Sequence, residues 1–395
     1  MKAKASSARR PRSRRRSTGG QSRPPARGGR SRVRYAVVGL GHISQAAVLP
    51  AFAHARKNSE LVALFSDDET KLKKLGRRYG IEQLFTYEDY ERGLRQADVD
   101  AVYIALPNDM HREYTERAAR LGVHVLCEKP MALTTQDCTA MIEAAREADV
   151  RLMVAYRLHF QKANLRAIEA VESGRLGEPR FFSSVFSMQV EDEDNIRLKS
   201  QRGGGTLFDI GIYCINAARY LFREEPEEVF AFSANNGERR FREVDEMTGA
   251  VLRFPGQRLA TFVSSFGASD TATYHLVGTK GDLCLDSAYE YAEEMVMTVT
   301  LDGKSRTTTF ARSDQFAPEL IHFSECVLGG GEPRPSGLEG LADVRVIEAL
   351  YESARSGRPV RLAQMQVPSR PEPKQLVERP AVREPELVHV APPHR

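Results

Sequence analysis

One stretch of the chain holds two side chains that could do chemistry together. Residues 203–222 read GGGTLFDIGIYCINAARYLF, with one carboxylate, Asp209, and one phenol, Tyr213, four positions later. Positions four apart lie on the same face of a helix, and an unpaired carboxylate on a buried face is costly. The spacing therefore predicts a cavity lined by the pair, or a positive charge that meets it. In the structural alternative, Asp209 caps the helix after the glycines and Tyr213 belongs to the core.

A candidate for that positive charge is Lys129, which follows an apolar strand over 123–127 in the turn Glu128-Lys129-Pro130. In a parallel sheet, ligands bind beyond the carboxyl ends of the strands. Pro130 restricts the residue before it to extended geometry. A lysine after a strand is usually a solvated surface charge, but a surface lysine would not need such a restricted frame. We therefore interpret Lys129 as a site residue.

A glycine-rich turn, GLGHIS, follows the first predicted strand at residues 39–44 and leads into a helix. In a dinucleotide-binding unit, the first glycine permits the tight turn and the second lets a pyrophosphate approach the backbone. The third position, Ser44, is small enough to keep helix and strand close, and the helix N-terminus offers N–H groups to the anion. The motif alone is weak, but its strand–turn–helix context supports dinucleotide binding. The residues of this turn that we expect to contact the cofactor are Gly39, Gly41, His42 and Ile43.

The next strand, 60–65, ends where such a fold meets the adenosine ribose. An acid at the strand tip would favour a free 2′-hydroxyl and hence NAD. Here the tip residue is Ser66, and Lys71 can reach a 2′-phosphate, whereas Asp67 would oppose it. These residues favour NADP, with NAD as the alternative.

The order of the elements predicts an α/β protein with two domains. Strands alternating with helices over 33–155 predict a doubly wound parallel sheet, a Rossmann domain that binds NAD(P). From Phe181 onward, short strands joined by hairpin signals predict a C-terminal α+β domain, 156–365, with a largely antiparallel open sheet. A last helix is expected near 337–356. The strands predicted for the second sheet are 181–191, 228–234, 247–254, 259–267, 272–278, 282–286, 294–301 and 305–311.

Charge and proline content set both ends of the chain apart. Residues 1–32 hold twelve Lys and Arg and no acid; subtracting these from the net charge of +4 leaves −8 for the remainder. Such a composition predicts a disordered basic tail, either a plain solvated extension, which we favour, or an arm for nucleic acid or an anionic surface. Residues 366–395 contain seven prolines and are also expected to form a tail.

Composition narrows the remaining classes of protein. The five cysteines have no CxxC pair and the nine histidines no metal-ligand spacing, so we expect neither a metal site nor a disulfide framework. We find no apolar run near the roughly 18 residues that a membrane helix needs, and no apolar segment of a secretory signal follows the N-terminal arginines. We expect a cytoplasmic protein without a membrane or nucleic-acid partner.

Four blocks of sequence, in order, resemble the Gfo/Idh/MocA family, which comprises glucose–fructose oxidoreductase, inositol dehydrogenase and rhizopine-catabolism proteins. The resemblance covers roughly residues 33–365, and its most specific features are the Glu-Lys-Pro turn and the Asp-to-Tyr spacing of four. The stretch 209–221 is most similar to the glucose–fructose oxidoreductase branch, whereas many relatives have histidine in place of Tyr213. The blocks are VGLG at 38–41, LPN at 106–108 with His111, CEKPM at 127–131, and GGG at 203–205 through Asp209 and Tyr213.

The resemblance implies that a hydride moves between a sugar or polyol hydroxyl and the nicotinamide. Tyr213 would be the acid/base; because a free phenol ionises near pH 10, it needs a nearby cation, Lys129, to work near neutrality. Asp209 would bind a second hydroxyl and pair with Lys129. Arg157 and Arg197 occupy positions that the family often uses around the substrate. The resemblance also places Lys129 and four other residues at the cofactor: Leu106, Asn108, His111 and Glu128. His111 is expected to be structural or near the nicotinamide, and not catalytic.

The resemblance leaves two classes of function open. In the first, the protein is a sugar or polyol oxidoreductase that works as a dimer or tetramer, as the family usually does through its exposed sheet face. In the second, it is a catalytically silent nucleotide-binding regulator or scaffold that uses the basic tail to recruit a partner. The presence of Lys129, Asp209 and Tyr213 together favours the enzyme, because a retired site has no need of all three. The sequence also differs from glucose–fructose oxidoreductase around the phosphates, so we expect the nucleotide to dissociate as in an ordinary dehydrogenase.

Overall fold

The computed structural model describes residues 30–367 and 370–390, and the fold is given for the body that begins at Ser31. The predicted basic tail, 1–32, lies almost entirely outside the described residues. No helix within the described ranges is long and apolar enough to cross a bilayer. In the same ranges, we find no cluster of three or more His, Cys, Asp or Glu side chains that could hold a metal ion.

The first half of the described chain builds a six-stranded sheet in the order β3-β2-β1-β4-β5-β6, and all its neighbours run parallel. The central strands are buried on both faces, as a parallel sheet covered by helices requires. The strands are β1 Val33–Val38, β2 Ser59–Phe65, β3 Gln83–Phe85, β4 Ala101–Ile104, β5 His124–Glu128 and β6 Leu152–Ala155. The helices are α1 Leu49–Ala55, α2 Glu69–Tyr79, α3 Tyr90–Gln96, α4 His111–Arg120 and α5 Thr135–Glu147. The predicted doubly wound parallel sheet is confirmed.

The second half builds a nine-stranded sheet in the order β14-β13-β12-β11-β7-β10-β9-β8-β15. Only β7 and β10 pair in parallel within this sheet, so the prediction of a largely antiparallel sheet is confirmed. Its strands are β7 Pro179–Ser187, β8 Glu228–Ala234, β9 Met247–Phe254, β10 Arg258–Ser265, β11 Thr271–Gly278, β12 Gly281–Asp286, β13 Met295–Leu301, β14 Lys304–Phe310 and β15 Val360–Arg361.

Four more helices connect the two sheets: α6 Lys162–Glu172, α7 Ile212–Phe222, α8 Phe316–Gly329 and α9 Gly337–Ser356. The helix predicted near 337–356 is α9. The helix α8 was not predicted from the sequence; it packs on the first sheet although it follows the second along the chain. Its Ser324 hydroxyl lies 2.8 Å from the hydroxyls of both Tyr35 and Ser59.

The described part of the proline-rich segment, 370–390, has one short helical turn, Pro373–Gln375, and follows the surface of the body. Arg370 forms an ion pair with Glu225 at 2.6 Å, and Asp314 donates its backbone N–H to the carbonyl of Arg379 at 3.1 Å. Nothing in the composition of this segment indicates these contacts, because single polar and backbone contacts leave no periodic pattern in a sequence.

Candidate active site

The turn after β1 has the shape that a dinucleotide phosphate group needs. Gly39 has a φ of +94°, and a Cβ on it would lie 2.4 Å from the carbonyl oxygen of Ala105, so only glycine fits. A Cβ on Gly41 would meet no atom within 4 Å, which leaves open space before the helix that His42 begins. Ser44 donates its hydroxyl to the Gly39 carbonyl at 2.6 Å and holds the turn closed. The turn therefore fits a pyrophosphate at the helix N-terminus.

The end of β2 presents a hydroxyl rather than an acid. Ser66 stands at the strand tip, and its hydroxyl accepts the backbone N–H of Asp68 at 3.1 Å. The two following carboxylates have other partners: Asp67 accepts the backbone N–H of Tyr87 at 3.0 Å, and Asp68 caps α2 by accepting the N–H of Lys71 at 3.0 Å. The helix α2 begins at Glu69, so Lys71 lies in its first turn, close to the strand tip.

The loop after β4 is tied to two neighbouring loops. The ring nitrogens of the fully buried His111 lie 2.9 Å from the carbonyl oxygens of Leu106 and Pro130. Burial lowers the pKa of His111, although the surrounding carbonyls oppose this shift. Asn108 donates its amide to the carbonyl of Gly203 at 2.8 Å. His111 thus holds the turns after β4 and β5 together, and Asn108 links the loop after β4 to the triple-glycine loop.

Lys129 brings the two residues of the opening stretch together. It follows β5, and its Nζ donates to the carbonyl oxygen of Asp209 at 2.7 Å and lies 3.4 Å from Oδ1 of the same residue. The same Nζ lies 4.8 Å from the centre of the Tyr213 ring, a cation–π distance. The Lys129 and Asp209 side chains are only 13% and 18% exposed. One ammonium therefore contacts both the carboxylate and the phenol.

Two cations set the charge of Asp209. Burial raises the pKa of a carboxyl, but at Asp209 the charges of Arg197 and Lys129 outweigh burial and hold the pKa below its ordinary value. For Lys129, burial lowers the pKa, while Tyr213, Asp209 and Glu128 together leave it above the ordinary value. The carboxylate and the ammonium both carry their charges at neutral pH.

Arg197 reaches Asp209 from the loop before the glycines. Its Nε donates to Oδ2 of Asp209 at 2.6 Å, and its side chain is 26% exposed. A Cβ on Gly204 would lie 2.4 Å from the Arg197 carbonyl, and Gly205 donates its backbone N–H to that carbonyl at 2.9 Å. The glycines therefore let the loop pack closely enough for Arg197 to pair with Asp209.

Arg157 approaches Tyr213 from the other side and is buried. Its Nη2 lies 3.4 Å from the Tyr213 hydroxyl, and its guanidinium carbon lies 5.1 Å from the centre of that ring. It also donates to the side chain of Gln315 at 2.6 Å and to the carbonyl of Tyr289, and it stacks on Tyr291. Because these partners occupy its donors, Arg157 holds the phenol in place more than it offers groups to a substrate.

Two acids lie behind the site. Glu128 accepts the hydroxyl of Tyr103 at 2.7 Å and lies beside Lys129; burial raises its pKa even so. Glu319 on α8 is fully buried, and neither of its carboxyl oxygens has a hydrogen-bond partner among the described residues. Burial and the nearby Glu128 raise the pKa of Glu319 well above its ordinary value. Sequence reasoning missed Glu319 and Tyr103, since a single residue in an apolar segment carries no spacing signal.

The structure thus gathers the predicted residues into two groups along one edge of the parallel sheet. Lys129, Asp209, Tyr213, Arg157 and Arg197 form the first, and the turn 39–44 with Ser66 and Lys71 forms the second. The positioning residues Asn108 and His111 join the loops around the first group.

Comparison with known proteins gives the same architecture. The family model described as an oxidoreductase family with an NAD-binding Rossmann fold, Gfo/Idh/MocA, matches residues 33–156. The model of the Gfo/Idh/MocA C-terminal domain matches residues 164–284.

Among similar proteins, the D-xylose 1-dehydrogenase [NADP(+)] of Haloarcula marismortui is 32% identical over 84% of this chain and 93% of its own length. The crystal structure of the aldose-aldose oxidoreductase from Caulobacter crescentus with glycerol shares 41% identity, with a TM-score of 0.80 over 84% of this chain and 100% of that one. A 3-ketoreductase from Actinomadura kijaniata with NADP and TDP-benzene shares 27% identity, with a TM-score of 0.74 over 82% of this chain and 98% of that one. With both family models matched over more than half of its length, the chain belongs to the Gfo/Idh/MocA family of oxidoreductases.

Proposed function

We propose that the protein is an NADP-dependent oxidoreductase that moves hydride between a sugar hydroxyl and the nicotinamide. The observation that carries this proposal is the contact of one ammonium, Lys129, with both Asp209 and Tyr213 at the carboxyl edge of the parallel sheet. Relatives named as a D-xylose dehydrogenase and an aldose-aldose oxidoreductase support an aldose as the substrate class. A polyol is the alternative.

The residues present fit a dinucleotide. Gly39 and Gly41 would hold the pyrophosphate against the start of the helix, and Ser66 with Lys71 would meet the adenosine ribose. When bound, the nicotinamide supplies the acceptor or donor of the hydride. The residues that we place around it are Leu106, Asn108, Glu128 and Lys129.

Tyr213 is the proposed acid/base. Oxidation of a hydroxyl requires that its proton leave as the hydride departs, and the phenol oxygen is the atom that would accept this proton. The Lys129 ammonium lies over the Tyr213 ring, and Nη2 of Arg157 lies 3.4 Å from the Tyr213 hydroxyl oxygen. Positive charge in these positions stabilises negative charge on the oxygen, which prepares the residue to act as a base.

Asp209 and Arg197 orient the sugar. The carboxylate is held by Arg197 at Oδ2 and by Lys129 near Oδ1, and it keeps a small exposed surface for a second hydroxyl. Holding the reacting hydroxyl in a fixed direction contributes to rate by removing orientational freedom from the reactants. Arg197 is more exposed than Arg157 and is the arginine that we place next to the substrate.

The preference for NADP rests on the strand tip. Ser66 replaces the acid that would accept the ribose hydroxyls of NAD, and Lys71 lies in the first turn of the adjoining helix. Asp67, which would oppose a 2′-phosphate, is engaged with the backbone of Tyr87. Similar proteins with NADP in their names are consistent with this preference.

We also propose that the protein works as a homo-oligomer, a dimer or a tetramer. The outer face of the second sheet exposes large apolar side chains on four adjacent strands, β7, β10, β9 and β8. An apolar surface of this kind usually marks an interface.

The first experiment identifies the nucleotide and the reaction. Mass spectrometry of the material released from the denatured protein, followed by titration with NADP and NAD, tests the cofactor. Absorbance at 340 nm with a panel of aldoses and polyols then tests turnover. Failure of both nucleotides to bind would refute the proposal and favour the silent scaffold.

Tyr213→Phe tests the chemical role. We expect kcat to fall by about 10²- to 10⁴-fold, the usual contribution of a positioned acid/base, with NADP affinity unchanged. The matched control is Tyr79→Phe at the end of α2, which should keep full turnover. A Tyr213→Phe enzyme with wild-type kcat would show that the phenol is not the acid/base.

A further inference from the structure

The C-terminal segment crosses the turn that we assign to the pyrophosphate. Gln45, in the first helical turn after Ser44, is completely buried. Its amide nitrogen donates to the carbonyls of Leu40 at 2.9 Å and Val388 at 3.0 Å, and its amide oxygen accepts the backbone N–H of Val388 at 2.8 Å. One buried side chain thus satisfies both backbone groups of a residue that lies 343 positions away.

The same segment continues to the predicted ribose end of the site. A ring nitrogen of His389 lies 3.1 Å from the carboxylate of Asp68, the residue that caps α2 and donates its N–H to Ser66. On the outer side of α2, Arg78 donates to the carbonyl of Glu386 at 2.6 Å. Residues 386–390, which we call the C-terminal strap, therefore span from the glycine turn to the tip of β2.

These contacts hold a segment that forms neither helix nor strand. Fixing backbone costs conformational entropy, so such a segment stays ordered only where contacts hold it. Val388 is buried at 4% exposure in the same apolar cluster as Leu40. The strap is thus held by packing and by paired hydrogen bonds, and it lies beside the glycine turn and the β2 tip that we assign to the dinucleotide.

The contacts of the strap suit a 2′-phosphate. The carboxylate of Asp68, which stands between Ser66 and Lys71 in the sequence, would repel a phosphate bound at those two residues. His389 pairs with this carboxylate on the side away from the helix cap, since Oδ1 of Asp68 accepts from the backbone of Lys71 and Oδ2 faces His389. The pairing withdraws the carboxylate from the anion.

We propose that the C-terminal strap is one wall of the adenosine subsite, that it slows release of the dinucleotide, and that His389 favours a 2′-phosphorylated cofactor. The proposal rests on the NADP dependence proposed above. Neither the glycine motif nor the family models reach this part of the chain, as the second model ends at residue 284.

Hydrogen exchange of the full chain, with and without NADPH, tests the strap without any mutation. We expect NADPH to slow exchange in two separate regions, the turn 39–45 and the strap 386–390. Protection of the turn without any change at the strap would overturn the proposal. Absence of protection in both regions, with NADPH and with NADH, would instead refute the cofactor assignment itself.

Two variants give the quantitative test. A chain that ends at Pro385 should release NADPH at least about tenfold faster, a change equal to 1.4 kcal/mol, measured by stopped-flow displacement. His389→Ala, at an exposed position, should weaken NADP binding about threefold, because exposed side-chain pairs contribute little, and should leave NAD binding unchanged. The control is Glu378→Ala, an exposed residue of the same segment that pairs with Lys162.

Each result decides the question. Equal NADPH release rates for the truncated and full chains, with matching thermal melting curves, would refute the proposal that the strap slows release of the dinucleotide. If the truncated chain does not fold, His389→Ala decides through the ratio of NADP to NAD affinity, and an unchanged ratio would overturn the role of His389. An effect of Glu378→Ala equal to that of His389→Ala would reduce the finding to general stabilisation of the segment and contradict the proposal.

Discussion

The residues around Tyr213 carry more positive than negative charge, which favours the proposed role of its phenol as a base. Three cations, Lys129, Arg157 and Arg197, converge on one phenol and one carboxylate. The carboxylate of Asp209 neutralises only part of this charge. The remaining positive charge would stabilise the negative charge on the phenol oxygen when the phenol has lost its proton. Preorganised charge of this kind is a major source of rate acceleration.

The pKa of Asp209 gives a prediction on stability and pH. Because its pKa in the folded protein lies below the ordinary value, the ionised carboxylate stabilises the fold at pH above that ordinary value. This contribution is lost as pH falls through the folded pKa. We therefore expect Asp209→Asn to melt at a lower temperature than the wild type at pH 7, and the difference to shrink below about pH 4.

Thermal melting of both proteins between pH 7 and pH 3 measures this difference. The matched control is Asp194→Asn. The side chain of Asp194 is 99% exposed, so this replacement should leave the melting temperature unchanged at every pH. A difference for Asp209→Asn that stays constant or widens in acid would contradict the assigned charge of the carboxylate.

The sequence could point to candidate site residues where a local motif constrains the backbone. Gly39 could be proposed because it opens a glycine motif between a strand and a helix, and Lys129 because a proline follows it. In the structure Gly39 has a φ of +94°, a conformation that favours glycine. By contrast, Gln45 and Glu319 could not be predicted. Gln45 binds a residue 343 positions away, Glu319 is buried without a hydrogen-bond partner among the described residues, and neither has a local spacing that marks it.

At the scale of elements, α7 carries Tyr213 and is anchored by a buried ion cluster. Arg219, at 0% exposure, pairs with Glu225 at 2.7 Å and with Glu339 at 3.1 Å, and its guanidinium also meets Asp343 on α9. Burying so many charges is favourable only while they remain paired. The cluster fixes α7 against α9 and hence fixes the phenol relative to Lys129.

We expect Arg219→Met to lower the free energy of unfolding by about 3–5 kcal/mol, because it leaves buried carboxylates without their cation. Urea denaturation followed by circular dichroism measures this change. Arg166→Met is the control: Arg166 pairs with Glu169 on an exposed face of α6, so its loss should cost less than about 1 kcal/mol. A loss of similar size in both variants would show that the cluster does not hold the helix.

Elements with a clear period could be predicted, and others could not. Several strands of the second sheet alternate between buried and more exposed residues, as in β9, which made them visible in the sequence. Their ends were less accurate: β7 ends at Ser187, whereas the prediction ran to 191. The helix α8 has no such alternation: FAPELIHFSECV is buried over most of its length because the helix packs against α1, β1 and β2. The segment 207–211 also forms a wide π-type turn before α7 begins, where a regular helix was expected.

Across the whole molecule, the two sheets position different parts of the proposed site. The glycine turn proposed for the dinucleotide follows a strand of the parallel sheet, and α7 packs on the inner face of the second sheet. The outer face of that sheet remains uncovered in the single chain and is apolar on adjacent strands. Its large exposed residues are Phe181, Val185, Phe232, Val251, Leu259 and Val263.

These side chains lie on one face, which makes the surface continuous. Leu259 pairs with Phe181 and Val263 pairs with Val185 across β10 and β7, and Thr261 between them pairs with Val251 on β9. A monomer rarely exposes an apolar surface that extends over four strands, and one this large favours burial against a second copy. The predicted dimer or tetramer would form through this face.

Leu259→Glu combined with Val263→Glu tests the interface, because charges buried without partners oppose association. We expect the wild type to have at least twice the monomer mass by light scattering after size-exclusion chromatography, and the double variant to shift to the monomer mass. The matched control is Leu328→Glu: this leucine is 42% exposed but lies on α8, away from the sheet, and its replacement should leave the mass unchanged. A monomeric wild type would exclude the interface, whereas an oligomeric double variant would place it on another surface.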